Sequence, residues 1–426
     1  MIARAGRLGQ NYAWVVAGVT FLALLAAAGL RSAPGVLMTP LHQAFGWERA
    51  QLSAAAALGI FLYGLVGPFA AALMQTLGLK RTLLGGLILM SGSTAASLFM
   101  AEPWHYVMTW GVLSGLGSGA VALSMGATVV NRWFVRRRGV AMGLLSASTA
   151  TGSLIFLPGM AALAESGGWK PVAIAVSAAA AALVPLVMFL MPERPADIGQ
   201  APYGGDRIEP PPPPGRATDA LALALGVLVR ASRTPAFWLL FGTFFVCGFT
   251  TNGLIGTHLI SFCGDQGMML VQAGLLLAAM GVFDIVGTTA SGWLTDRYDP
   301  RKLLFAYYVL RGLSLLALPF LEFNLVSLSL FAVFYGLDWL ATVPPTARLA
   351  SEAFGDREGP IVFGWVAFGH QIGAATAAFG AGVLRDLQGR YLESFLIAGA
   401  LALVAGFAAL AIRRPGDGVG VRPAAA

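Results

Sequence analysis

Gly292-Trp-Leu-Thr-Asp296-Arg297-Tyr-Asp-Pro-Arg301-Lys302 separates two long apolar runs. Lipid offers no partner to an unpaired backbone group, so each run that crosses a bilayer must be a helix and the turn must lie in water. Five of the seven residues from Asp296 to Lys302 are charged, more than a plain connector needs. A weaker copy lies 221 residues earlier, where Leu77-Gly78-Leu79-Lys80-Arg81 aligns with Tyr298-Asp299-Pro300-Arg301-Lys302. A charged turn that recurs once per half-chain points to a duplicated helical bundle whose halves move against each other.

The rest of the composition agrees. Of 426 residues, 57% are hydrophobic and only 11% charged, which excludes an ordinary soluble domain. The apolar residues come in runs of roughly 20, enough to cross a hydrocarbon core about 30 Å thick. Twelve spans are expected, at 13–37, 50–74, 82–101, 105–130, 139–163, 170–191, 236–262, 269–294, 303–321, 324–347, 361–384 and 391–412. Arg4 and Arg7 precede the first run as in a signal peptide, but that run is longer than a signal's apolar core and reads as an uncleaved span. The chain divides into a six-helix bundle at 1–191, a linker at 192–235 and a second bundle at 236–426. The linker contains Pro210 to Pro214 in a row and reads as solvated and polyproline-like, with 221–229 lying along the membrane surface as a small helix.

Orientation follows from the basic residues. With both termini in the cytoplasm, 21 of the 27 lysines and arginines fall on cytoplasmic segments, against Arg49, Lys170, Arg385 and Arg390 outside. That asymmetry is the positive-inside pattern of a multi-pass protein, here of a bacterial-type inner membrane. It also accounts for the +7 net charge without a nucleic-acid partner. Cys247 and Cys263 offer neither metal spacing nor a disulfide framework, and nothing calls for a cofactor or metal. Glycine-rich runs in spans 4 and 5, such as Gly115, Gly117 and Gly119, follow no strand and read as close helix packing rather than nucleotide binding.

Twelve helices as six plus six, a long central loop and a repeated charged turn resemble the major facilitator superfamily. Gly292, Asp296, Arg297, Arg301 and Lys302 match its Gly-x-x-x-Asp-Arg-x-x-x-Arg-Lys signature. In the first-half copy, Ala71, Gln75 and Thr76 stand where Gly, Asp and Arg are expected. The resemblance implies a gating role for these five residues, with Asp296 capping a neighbouring helix or pairing with an arginine while the outside is open. Asn131-Arg132-Trp133-Phe134 with Arg137-Arg138-Gly139 and Gly143, Gly46-Trp47 after Pro40, and Phe283-Asp284 further resemble the monocarboxylate transporter branch and its bacterial oxalate-transporter-like relatives. That branch carries an arginine one turn after its span 8 aspartate, where this chain has Thr288. It also carries a lysine after a proline late in span 1, where this chain has Gly35 after Pro34. Arg31 lies one turn before Gly35 and can cover for that lysine.

An ionisable group in hydrocarbon costs at least about 2.5–3.5 kcal/mol, so each one needs a reason. Asp284, Arg311, Asp338 and His370 fall on spans 8 to 11 at one depth, roughly 12–15 Å from the cytoplasmic edge. Two readings stay open. Arg311 and Asp338 form a structural ion pair that Asp284 joins, or an aspartate (Asp284 or Asp338) and His370 exchange protons during transport. Arg31 and His258, late in spans 1 and 7, are candidates to attract an anion. Asn252 beside Thr250 and Thr251, and Gln371 beside His370, are candidates to hydrogen-bond it. The expected activity is secondary transport of a small organic anion, a monocarboxylate, with protons, by a monomer. Export of amphipathic compounds is the nearest rival. A membrane enzyme or receptor is a rival of another class, but no catalytic motif or soluble domain supports it.

Overall fold

The structure, a computed structural model, describes residues 12–208, 216–268 and 270–412. The Pro210–Pro214 run and the basic residues at both ends of the chain (Arg4, Arg7, Arg413, Arg414 and Arg422) lie outside the described residues. Among the described residues, ten stretches are long and apolar enough to cross a membrane. One of them, Val326–Arg385, holds spans 10 and 11, divided where Gly355 adopts φ 79. A left-handed backbone suits glycine, which has no Cβ to clash. The helix Arg138–Gly167 supplies a further span, giving twelve.

Span 1 is Tyr12–Phe45, span 2 Arg49–Thr76, span 3 Leu79–Ala96, span 4 Pro103–Trp133 and span 6 Trp169–Leu190. Span 7 is Pro235–Asp265, span 8 Leu270–Thr295, span 9 Pro300–Ala317 and span 12 Leu392–Leu410. Span 1 packs on span 5, span 3 on span 6, span 7 on span 11 and span 9 on span 12. The halves meet along two seams, span 5 against span 8 and span 2 against span 11. Glycines set these distances. A Cβ on Gly139 would overlap the Gly292 carbonyl, and one on Gly292 would overlap that of Gly139, so the backbones of spans 5 and 8 touch. Small residues at a crossing let helices approach this closely without a hydrophobic driving force.

Spans 4, 7 and 10 depart from regular α geometry. Val107–Leu113 in span 4 and Phe249–Ile255 in span 7 are π-helical. Span 4 also breaks at Val121 and Ala122, and span 10 unwinds at Trp339–Thr342. These two breaks obey the same 221-residue offset that relates the charged turns, since Val121 maps onto Thr342. Pro344-Pro345 should kink span 10 near its end. Instead the helix stops before them and restarts at Val343 with the prolines in its first turn. Proline is well tolerated there, because a first-turn N–H has no partner within the helix to lose.

The linker differs from the sequence expectation. Residues 195–198 form a short 3-10 turn, and Tyr203 pairs with Phe134 in an isolated bridge. Tyr203 N donates to Trp133 O at 2.8 Å, and its ring packs on Trp14 and Phe134. The rings hold this segment against the first bundle, so it is not free in solvent. The linker helix runs Ala217–Ala231, longer at both ends than the 221–229 expected.

Candidate functional site

The break in span 10 organises the middle of the second half. Unwinding frees backbone groups at a depth where lipid cannot satisfy them, so neighbouring side chains must. Arg311 from span 9 donates to the carbonyls of Asp338 and Trp339 at 2.5 and 3.1 Å. Asp284 from span 8 accepts from Leu340 N at 2.9 Å, and Ser291 donates to Ala341 O at 2.5 Å. Arg311 Nε also pairs with Asp338 Oδ2 at 2.6 Å, and Arg311 is 1% exposed. The contact that sequence reading proposed between Arg311 and Asp338 is therefore present. Asp284 does not join it by hydrogen bond. Its Oδ1 accepts from Thr288 Oγ1 at 2.6 Å instead. Thr288, at the position of the branch arginine, is fully buried and committed to the aspartate.

Three buried polar atoms here have no hydrogen-bond partner among the described residues: Asp284 Oδ2, Asp338 Oδ1 and His370 Nε2. Orphaned buried polar atoms are rare and costly, and three at one level mark a polar layer with spare capacity for protons or a ligand. Cys247, to which sequence reading assigned no role, lies beside this layer. Its sulfur lies 3.2 Å from Arg311 Nη1 and 3.2 Å from Thr342 Oγ1, with His370 beside it. Only the fold places this cysteine between the arginine and the histidine.

Arg31 sits apart from this layer. Its guanidinium lies over the ring of Tyr63 on span 2, 4.2 Å from the centroid. Cation–π contact of this kind holds a charge in place without neutralising it. On the next residue of span 2, Gly64, a Cβ would meet the Gln371 and Phe368 side chains of span 11. The fold thus brings Arg31, Tyr63 and Gln371 to one stretch of the span 2 seam, all half-buried. Tyr63 carried no sequence signal.

His258, expected with Arg31 to attract an anion, makes its contacts within the second half. Its Nδ1 lies 3.1 Å from Tyr391 Oη and its Nε2 2.8 Å from Ala378 O, so both ring nitrogens are engaged inside the second half. Thr250 and Thr251 likewise turn their hydroxyls back onto Val246 O and Cys247 O. Asn252, in the π-helical stretch of span 7, remains exposed.

The charged turn lies on the face carrying most of the basic residues, called the basic face below. Arg137, immediately before span 5, has φ 60, and no side chain of its own caps the helix. Asp296 supplies the cap from the other half: Oδ1 accepts from Gly139 N at 2.7 Å and Oδ2 from Val140 N at 3.0 Å. First-turn N–H groups lack partners within the helix and favour an anion. The remaining signature residues make local contacts or face solvent. Arg297 lies over Trp293 at 3.8 Å, Arg301 pairs with Asp299 at 2.8 Å, and Lys302 is exposed. Further bonds join the halves nearby. Asn131 Nδ2 donates to Ser351 Oγ at 2.8 Å, and Arg138 makes a two-pronged pair with Asp356 at 2.9 and 2.8 Å. Hydrogen bonds and ion pairs between the halves cluster on this face, so the structure is closed there.

Comparison with known proteins matches the geometry. A family model described as Major Facilitator Superfamily matches residues 20–346 and 270–426. An uncharacterized MFS-type transporter, YcxA of Bacillus subtilis, is 24% identical over 91% of this chain and 91% of its own length. Monocarboxylate transporter 13 of Rattus norvegicus is 27% identical over 95% of this chain and 89% of its own. Among solved structures, the E. coli fucose:proton symporter FucP superposes with a TM-score of 0.70 at 16% identity, covering 94% of this chain and 98% of that one.

Proposed function

Since the chain belongs to the Major Facilitator Superfamily, we propose that it is a secondary transporter moving a small organic anion, a monocarboxylate, together with protons. Alternating access in an inner membrane, with the basic face and both termini in the cytoplasm, completes the reading. The placement of Arg31 carries it. Arg311, the other arginine in the span interiors, is buried and paired, whereas Arg31 is half-buried, held on an aromatic ring, and has no carboxylate partner among the described residues. A carboxylate that docks there meets one fixed guanidinium, with Gln371 beside it to hydrogen-bond. Proton handling is assigned to Asp284 and His370, whose unpartnered atoms lie in the same buried layer, with Asp338 as a second acid. Relatives that are named monocarboxylate transporters, and a structural neighbour named as a proton symporter, lend support.

Thr288 in place of the branch arginine favours a second reading, export of amphipathic compounds, because span 8 then offers no cation to the cargo. Proteoliposomes separate the two. With an imposed pH gradient, acid outside, labelled lactate or pyruvate accumulates if the first reading holds. Arg31→Gln abolishes uptake, and Arg31→Lys restores part of it. Accumulation that is absent, or unchanged in Arg31→Gln, refutes the anion assignment.

A further inference from the structure

The two seams are closed by different means. At span 5 and span 8, Asp296 caps a helix of the opposite half. Its first-half counterpart, by the 221-residue offset, is Gln75, which accepts from Arg132 at 3.4 Å within its own half. The span 2–span 11 seam therefore lacks that reciprocal carboxylate cap. In its place lies the linker helix Ala217–Ala231, which packs on both spans. Trp365 of span 11 donates from Nε1 to Ala224 O at 3.2 Å, and stacks edge-on against Phe69 of span 2. Arg230 pairs with Glu358 at 2.7 Å.

At about 100° per residue, the linker helix has three faces rather than two. Ala220, Ala224, Val227 and Ala231 occupy roughly 60° of its circumference and are all buried against the seam. Next round come Leu221, Leu225 and Val229, which are 57%, 43% and 51% exposed. The remaining sector carries Asp219 and Arg230. A helix at a membrane edge needs this arrangement: protein, acyl chains and water each meet a matching face. Arg216 and Arg233, at its two ends, are exposed and basic. Cationic ends beside an apolar stripe complement the negative headgroups of an anionic leaflet.

We propose that the linker helix lies in the plane of the leaflet on the basic face, binds anionic phospholipid there, and straps the span 2–span 11 seam shut. The lipid seat stands on the three faces alone; the strap rests on the alternating-access reading, and neither depends on the cargo. Opening of the basic face requires the helix to leave either Trp365 or span 2, so lipid that holds it in place favours the closed state.

The full chain in nanodiscs tests both parts. A nitroxide at Leu225→Cys should be relaxed by oxygen and shielded from a water-soluble nickel chelate, and one at Gly226→Cys, on the watery face, should show the reverse. Equal nickel access at both overturns the lipid seat. Spin labels at Arg81→Cys and Lys302→Cys, the equivalent positions of the two charged turns, then report separation of the halves. The closed fraction should rise several-fold when phosphatidylglycerol replaces a third of the phosphatidylcholine. That gain should vanish in Leu221→Ser/Leu225→Ser/Val229→Ser and in Arg230→Gln/Trp365→Phe. A closed fraction that ignores lipid charge, or a gain that survives both variants, overturns the strap and leaves the anion assignment untouched.

Discussion

Asp296→Ala removes the cap on a helix that cannot cap itself. In the closed state the carboxylate accepts from Gly139 N and Val140 N at 2.7 and 3.0 Å, while Arg137, left-handed before the helix, offers no side-chain bond. Loss of an N-cap costs about 0.5–2 kcal/mol. A charge at a helix N-terminus adds up to about 1 kcal/mol at a partly exposed site. The two terms overlap, so about 2 kcal/mol is the expected loss, and it falls on the closed state alone. Once the basic face opens, water can satisfy the same N–H groups. A difference of about 2 kcal/mol is roughly a thirtyfold shift in the ratio of closed to open molecules. Asp296→Asn keeps an acceptor oxygen without the charge, so its shift should be intermediate, about fivefold for about 1 kcal/mol. Double electron–electron resonance between labels at 81 and 302 reads the ratio directly. Cys247 and Cys263 are both 0% exposed, so they stay unlabelled and need no replacement. If Asp296→Ala leaves the distance distribution unchanged in a protein of normal melting temperature, the cap does not hold the gate and the reasoning fails.

Other outcomes follow from the same contacts. Arg311→Met should lower unfolding stability by about 3–5 kcal/mol, because it strands a buried carboxylate. Arg311→Met/Asp338→Leu should recover part of that loss, but not all, since the carbonyls of Asp338 and Trp339 stay unpaired; full recovery in a detergent melting series would contradict this. Gly292→Ala should shift labelled molecules towards an open basic face with little change in melting temperature, because the clash with Gly139 exists only while the seam is shut. Gly373→Ala, which collides with the Phe245 carbonyl inside the second half, should lower the melting temperature by an overpacking cost of about 1–3 kcal/mol. Thr288→Val should slow proton-driven uptake roughly tenfold, for the loss of the buried hydrogen bond to Asp284, while Thr288→Ser keeps most of the rate. Equal rates in the two variants would remove the threonine from the mechanism.

Much of the architecture was legible in the amino acids, because a bilayer punishes irregular backbone and unpaired charge so heavily that the pattern has few solutions. Twelve spans, the repeated turn and the rarity of ions at mid-depth all follow from that cost. Pairs on neighbouring spans at one depth were also legible, as Arg311 and Asp338 show. What escaped was everything decided by a third partner. His258 looked available for an anion, and only the tertiary structure shows Tyr391 and Ala378 against its ring. Arg297 and Arg301 looked like gate charges, and the tertiary structure adds contacts to Trp293 and Asp299 of their own turn.

Periodicity along one helix cannot say which groups a neighbouring helix leaves unsatisfied. The unwound turn at Trp339–Thr342 is invisible as a pattern, yet it is why Arg311, Asp284 and Ser291 point where they do. The order of residues by itself determined that the chain spans a membrane, since hydrocarbon thickness and the cost of desolvation set the length of each apolar run, and the recurring charged turn showed that the design repeats. Tertiary structure alone decided that Asp296 caps a helix of the other half, that Cys247 sits between an arginine and a histidine, and that Tyr63 carries Arg31. Each of those depends on two segments far apart in the chain meeting within hydrogen-bond distance or ring contact.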